Sequence, residues 1–417
     1  MFETFRNAFK VGEIKDKLIF TLLMILVYRV GAAIPVPGIN KTVLESMFQG
    51  DFFGFLNIMS GGSFKNFTVF ALGIMPYINA SIILNLLTVV IPYLENLSKQ
   101  GAEGRKKLVQ FTRYGTVILG TLQGIGMTVY LKPALKSQSI LSYMVVVVTL
   151  TAGTAFLMWL GEMITERGIG NGISIIIFAG IVSRLPSGIV STVQYLRSGE
   201  LSWVSMIGFL IVAAIVILGV IAIHEGERRI PVQYAKRVIG RKIYGGQSTH
   251  IPLKVNQAGV IPIIFAMSIL MFPTTIASWF PQSGFAQWVS RTFDFTSIWY
   301  MLVYGLLILF FTYFYTAMSF NPVDVADNLK KHGGFIPGYR PGRYTADYIE
   351  KVVSRVTFSG AVFLAMIALM PNMLWAFTGV NFQFGGTSLL IMVGVALDTM
   401  KQLESQLLMR HYKGFMG

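Results

Sequence analysis

The four histidines, His224, His250, His332 and His411, are the first residues to question about catalysis, and they argue against it. None stands in a His-Glu-x-x-His arrangement, and His224-Glu-Gly-Glu227 has the wrong spacing for a zinc site of that kind. The chain has no cysteine, which excludes disulfides, thiolate metal sites and cysteine nucleophiles. Glu162 and Glu166 stand one helical turn apart and could share a proton, yet the adjacent Arg167 favours a solvated pair at a membrane edge. Gly168-Ile-Gly-Asn-Gly-Ile-Ser174 has the glycine density of a phosphate cradle. Such a cradle follows a strand and, in a P-loop, ends in Gly-Lys-Ser/Thr. Here an apolar run follows and no lysine does, so the segment reads as a tight helix–helix turn with close backbone packing. The expectation is a protein that is not an enzyme and holds no cofactor and no metal.

The remaining chemistry is that of polar groups set in apolar surroundings. Gly73-Ile-Met-Pro-Tyr-Ile-Asn-Ala-Ser-Ile-Ile-Leu-Asn-Leu-Leu87 is helix-length and greasy, but Pro76, Asn79, Ser81 and Asn85 interrupt it. Unpaired polar groups cost several kcal/mol in hydrocarbon, so such a segment faces protein or a water-filled path. Ahead of it, residues 54–67 are too glycine-rich and too short to span a bilayer, which suggests a segment that re-enters the membrane. Asn85, Gln123 and Asn256 are isolated amides beside apolar runs, either interhelical glue or a latch at a seam that opens sideways.

The elements that position these groups are membrane helices. The chain is 54% hydrophobic and 13% charged, where a soluble domain carries about 25% charged residues. Apolar runs predict ten spans, at 18–34, 71–91, 115–131, 141–160, 173–193, 204–223, 258–279, 298–318, 356–370 and 387–397. The N-terminal residues lack the apolar core and cleavage site of a signal peptide, so insertion is expected to begin with the first span. Most of the 34 basic residues fall on the side of the two termini, which predicts that both termini are cytoplasmic. The net charge of +15 is thus largely a matter of topology rather than of nucleic-acid binding. Five plus five spans suggest two inverted halves, 1–193 and 199–417, with spans two and seven as counterparts.

Two cytoplasmic loops exceed what a connection needs. Residues 224–257 alternate β-branched, aromatic and basic types and predict a hairpin. Residues 321–355 open helically and then turn through Gly333, Gly334, Pro337, Gly338 and Pro341. Both could be plain solvated loops, or a docking surface for a large partner such as ribosomal RNA or an acidic motor face. On residues alone, a channel and a secondary transporter with inverted repeats are both open. The absence of Asp, Glu, Lys or His deep in any span weighs against ion-coupled transport.

Long stretches in order then identify a family. Phe70-Ala-Leu-Gly-Ile-Met-Pro-Tyr-Ile-Asn-Ala-Ser81, Met158-Trp-Leu-Gly-Glu-Met-Ile-Thr-Glu-Arg-Gly-Ile-Gly-Asn-Gly-Ile-Ser174 and Ser248-Thr-His-Ile-Pro-Leu-Lys-Val-Asn-Gln-Ala-Gly-Val-Ile-Pro262 resemble the bacterial SecY family. Asp327-Asn-Leu-Lys-Lys331 and Phe384-Gly-Gly-Thr-Ser388 add to the likeness, which runs from about Val11 to Gly414. The resemblance implies an all-α protein-conducting channel in the bacterial plasma membrane, an hourglass of two five-helix halves. It passes unfolded secretory proteins across the membrane and releases membrane proteins sideways into it. The implied apolar pore ring is Ile74, Ile78, Ile177, Ile264, Ser268 and Ile391; Ser268 departs from an all-aliphatic ring. The implied plug centres on Asn57, Ser60, Gly61, Gly62, Ser63 and Phe64, and the lateral gate carries Asn85, Gln123 and Asn256. Arg241, Lys242 and Arg340 match loop tips that engage a SecA-like ATPase motor or a ribosome. SecE-like and SecG-like small subunits, signal sequences and lipid complete the implied partners.

Overall fold

The computed structural model describes residues 9, 11–40, 43–44, 63, 66–199, 202–234, 237–239, 242–244, 248–279, 283–294, 297–378 and 386–413. Every apolar run of the sequence lies on helix. The N-terminal part holds α1 (Gly12–Gly31), α2 (Met75–Val90), α3 (Pro92–Lys99), α4 (Gly101–Tyr130), α5 (Ile140–Arg167), α6 (Gly172–Val182) and α7 (Leu185–Ser198). The C-terminal part holds α8 (Trp203–Glu225), α9 (Ile261–Trp279), α10 (Gly284–Thr292), α11 (Ile298–Ser319), α12 (Pro322–Lys331), α13 (Arg343–Thr378) and α14 (Gly386–Lys413). The stretches Ile140–Arg167, Gly172–Ser198, Met206–Glu225, Ile298–Lys331 and Arg343–Met370 have the length and composition to cross a membrane.

Two runs are less regular than their composition suggests. α2 and α3 meet at 100°. Pro92 lacks an N–H and forces the residue before it out of the helical region, and Ile91 is extended at φ −99°, ψ 113°. The fifth run breaks at Ser183 and Arg184, and Pro186 is the second residue of α7. Ser183 Oγ donates to the Gly180 carbonyl at 2.7 Å and accepts from Arg29 Nη1 at 2.9 Å, which fixes the break against α1.

Several hydroxyls inside the apolar helices are satisfied locally. Thr112, Thr116, Thr128, Thr312 and Thr399 each donate to the carbonyl four residues earlier, at 2.6–3.0 Å. A helix can carry these side chains in hydrocarbon because no donor is left without an acceptor.

The glycine-rich segment after α5 is a helix–helix turn, as its sequence context predicts. Asn171 caps α6 by accepting from Ser174 N at 3.1 Å, and Thr165 Oγ1 accepts from Gly172 N at 2.9 Å. Gly170 takes φ +84°, a left-handed conformation that favours glycine. A Cβ on Gly172 would fall on the Gly161 carbonyl of α5. Gly172→Ala is therefore expected to cost about 1–3 kcal/mol by overpacking against backbone. A fall in the thermal midpoint of the detergent-purified protein would register it; an unchanged midpoint would mean that the turn tolerates expansion.

Between α8 and α9 the chain forms the expected hairpin. β1 (Glu227–Tyr234) and β4 (Ser248–Lys254) pair antiparallel from Glu227↔Lys254 to Gln233↔Ser248, with β2 (Arg237–Ile239) and β3 (Lys242–Tyr244) paired beyond them. β5 (Gly334–Phe335) joins the other edge of β1, giving the order β4-β1-β5. Ile230, Val232 and Leu253 bury one face of this sheet with Ile336 and Ile349, so both long loops share one small core.

The main core runs through both parts of the chain. α9 packs on α2 and α4 along one seam, and α14 packs on α6 and α1 along another.

Candidate functional site

The sequence-derived ring residues come from four helices, and the fold brings them to the same interior. Ile74 caps the start of α2 and Ile78 follows one turn later; Ile264 and Ser268 have the same spacing on α9. Ile177 sits within α6 and Ile391 within α14. All six are buried, and the five isoleucines belong to a single apolar cluster. Both α2 and α9 carry proline at their second residue, where the missing N–H costs no hydrogen bond. Ile78 and Ile264 each lie two residues beyond it.

Ser268 differs from Thr112, Thr116, Thr128, Thr312 and Thr399, and resembles Thr154 of α5, whose Oγ1 is also buried without a partner. The Ser268 Oγ is buried and has no hydrogen-bond partner. A buried, unsatisfied hydroxyl costs about 1–3 kcal/mol. The other five ring positions present branched aliphatic carbon.

Of the plug residues, Asn57, Ser60, Gly61, Gly62 and Phe64 lie outside the described residues. Ser63 is fully buried, its Oγ has no partner, and its carbonyl accepts from Thr68 N at 2.9 Å. The chain beyond it is tied down. Val36 N donates to Phe67 O and Val69 N to Ile34 O, both at 2.9 Å, and Phe67 is buried with Leu131 and Leu150. A Cβ on Gly153 of α5 would fall on the Val69 carbonyl, so that glycine lets the tether lie directly on the helix.

Of the three amides expected at a gate, Gln123 lies between α4 and α9, and the three do not bond to one another. Gln123 lines an apolar cleft with Leu119 and Leu122 of α4 and with Phe272, Thr275 and Ile276 of α9. Asn85 is half-buried on α2. Asn256, just ahead of α9, is buried and its Oδ1 has no partner. Gln257 Oε1 is in the same state, a residue that the sequence reading passed over. Among the described residues no hydrogen bond links these amides across the seam.

The loop-tip residues divide. Arg241 lies outside the described residues, and Lys242 opens β3, paired with Ile239. Arg340 is exposed at the apex of a turn that its neighbours hold rigid. Tyr339 stacks on Tyr348 of α13 with ring centroids 4.1 Å apart, and Thr345 Oγ1 donates to the Arg340 carbonyl at 2.8 Å. Ile336 anchors the turn in the core under the sheet. Tyr339, Thr345 and Tyr348 carry no motif and were not singled out from sequence; Tyr339, beside two prolines and two glycines, was the only available signal.

At the same end, His224 Nε2 meets Asp398 Oδ1 at 2.9 Å and Lys401 meets Glu225 at 2.9 Å, joining α8 to α14. Glu162, expected from the sequence to be one of a solvated pair, is largely buried and pairs with Arg113 of α4 at 2.7 Å. That bond, with burial opposing it, holds the Arg113 guanidinium above its usual range. Among the described residues no three His, Asp or Glu side chains gather in a way that could hold a metal ion.

Comparison with known proteins agrees on one family. The family model described as SecY matches residues 68–400. The protein translocase subunit SecY of Halalkalibacterium halodurans is 51% identical over 428 residues, covering 100% of both chains. That of Bacillus subtilis is 48% identical over 429 residues with the same coverage. A solved protein-conducting channel superposes with TM-score 0.68 at 19% identity, covering 94% of this chain and 92% of that one. Sec61 in the canine ribosome–channel complex from the endoplasmic reticulum does so with TM-score 0.64, again at 19% identity and with coverage of 94% and 92%. At such identities the likeness is one of fold.

Proposed function

The chain belongs to the SecY family, and on that premise we propose that it is the channel subunit of a protein translocase. It moves unfolded secretory proteins across the bacterial plasma membrane and releases membrane segments sideways into the bilayer. The observation that carries this reading is the buried aliphatic waist drawn from α2, α6, α9 and α14. An unfolded polypeptide has a polar backbone and varied side chains, so its conduit must seal without specific contacts. Ile74, Ile78, Ile177, Ile264 and Ile391 offer such a gasket, with Ser268 its one polar member.

The ten apolar runs cross the membrane as two inverted halves, 1–193 and 199–417. The matching placement of Ile78 and Ile264 after a helix-starting proline supports that symmetry. Both termini lie in the cytoplasm, as the basic residues favour. Residues 54–67 form the plug under the waist. The α2–α4–α9 seam, with Asn85, Gln123 and Asn256, opens to admit a signal sequence. An apolar segment leaves for lipid because each buried CH₂ gains about 0.8 kcal/mol. SecE-like and SecG-like subunits brace the halves. A SecA-like ATPase or a ribosome docks on Arg340, Arg241 and Lys242 and supplies the energy; the channel itself catalyses no reaction.

Reconstitution tests this against a small-solute transporter. Proteoliposomes holding the complex, given motor, ATP and a secretory precursor, should protect the precursor from external protease. Gradient-driven solute uptake without precursor translocation would overturn the reading.

A further inference from the structure

We propose that α10 is an interfacial helix whose aromatic face is embedded in the leaflet at the end of α9, resting on the reading of the chain as a membrane channel. Three faces of this nine-residue helix separate cleanly. Ala286 and Val289 are buried with Ala277 of α9, and Phe293 packs beside them. Gln287 and Arg291, four residues apart, are exposed on the polar face. Phe285 and Trp288, three apart, lie on the remaining face at 50% and 57% exposure. Protein therefore covers one face, water suits the second, and the third is aromatic.

What covers the third face follows from its surroundings. α10 joins the end of α9 to the start of α11, so it lies at the membrane boundary. α11 begins with exposed Ile298 and Trp299 and continues through exposed Leu302 and Leu306, a surface that meets lipid in a membrane-spanning helix. Trp203 is exposed at the start of α8, at the same end of the bundle, because the chain descends α8 and returns along α9. Indole rings concentrate at the headgroup level, where their apolar body and N–H are both accommodated. Arg291 on the polar face can reach lipid phosphate with its guanidinium. The ring contacts Phe285–Trp288 at 6.4 Å and Trp288–Phe293 at 6.2 Å make the aromatic face continuous with the packed one. The occupant is thus the acyl–headgroup boundary of the leaflet.

The chain has no cysteine, so single sites can be labelled directly. Phe285→Cys, Trp288→Cys, Gln287→Cys and Leu306→Cys, each carrying a nitroxide, are reconstituted with the small subunits into phosphatidylethanolamine–phosphatidylglycerol vesicles. Power-saturation measurements then compare collisions with oxygen, which partitions into lipid, and with a water-soluble nickel chelate. The oxygen-to-nickel ratio should be several-fold higher at 285 and 288 than at 287. Ratios at 285 and 288 equal to that at 287 would place the helix in water and overturn the proposal. Labels at 285 and 288 that neither reagent reaches would mean a protein partner covers the face, which also overturns it. Leu306 separates this failure from that of the channel reading: a lipid-type ratio there leaves the membrane assignment standing.

Discussion

Ile391→Arg is expected to make the resting channel conduct ions. Ile391 is 0% exposed and packed among the isoleucines of the waist, so a guanidinium there has no water and no partner. A cation at the centre of a membrane helix costs about 2.5–3.5 kcal/mol even on the mildest scale. Each 1.4 kcal/mol is a factor of ten, so the closed state could lose up to roughly two orders of magnitude in population. Parting the gasket lets water in and relieves the cost. Ion release from proteoliposomes holding the complex measures it. Ile391→Val should stay tight, since that change costs only about 0.5–1.5 kcal/mol. Should Ile391→Arg fail to accumulate, Ile391→Ser tests the same point with a smaller polar group and a smaller leak. Sealing as good as the parent's in these variants would remove Ile391 from the pore.

The second large effect is at Arg340. Its turn is held by the Tyr339–Tyr348 stack and by Thr345, so the backbone that presents the guanidinium has little entropy left to lose on docking. A charged hydrogen-bonded contact contributes about 1.5–3 kcal/mol, so losing it should slow motor-driven translocation roughly 10- to 100-fold. Arg340→Glu should show that loss in full. Arg340→Lys should show part of it, because an ammonium cannot form the bidentate contact that a guanidinium makes with carboxylate or phosphate. Insertion and resting conductance should stay normal in both. Tyr348→Ala keeps the charge but releases the turn and should lie between them. Translocation at the parent's rate with Arg340→Glu would leave the turn as a solvated loop.

The amino-acid sequence determined the apolar runs, their grouping and the reading of the glycine segment, because each depends on local quantities. Run length and charge asymmetry decide whether a segment prefers lipid. Gly172 announced close packing because its neighbours left no phosphate chemistry to explain it. The hairpin between α8 and α9 was legible in the alternation that buries Ile230 and Val232 on one face.

Other features depend on partners far away in the chain. Glu162 meets Arg113, from a neighbouring helix, because helix packing sets which charges meet. The ring positions were named from resemblance, but their burial is set by how α2, α6, α9 and α14 pack into the main core. Tyr348 looked like any residue of a long helix until the turn folded Tyr339 onto it. Periodicity ranks the faces of a single helix, whereas the contacts that made these choices join elements tens to hundreds of residues apart.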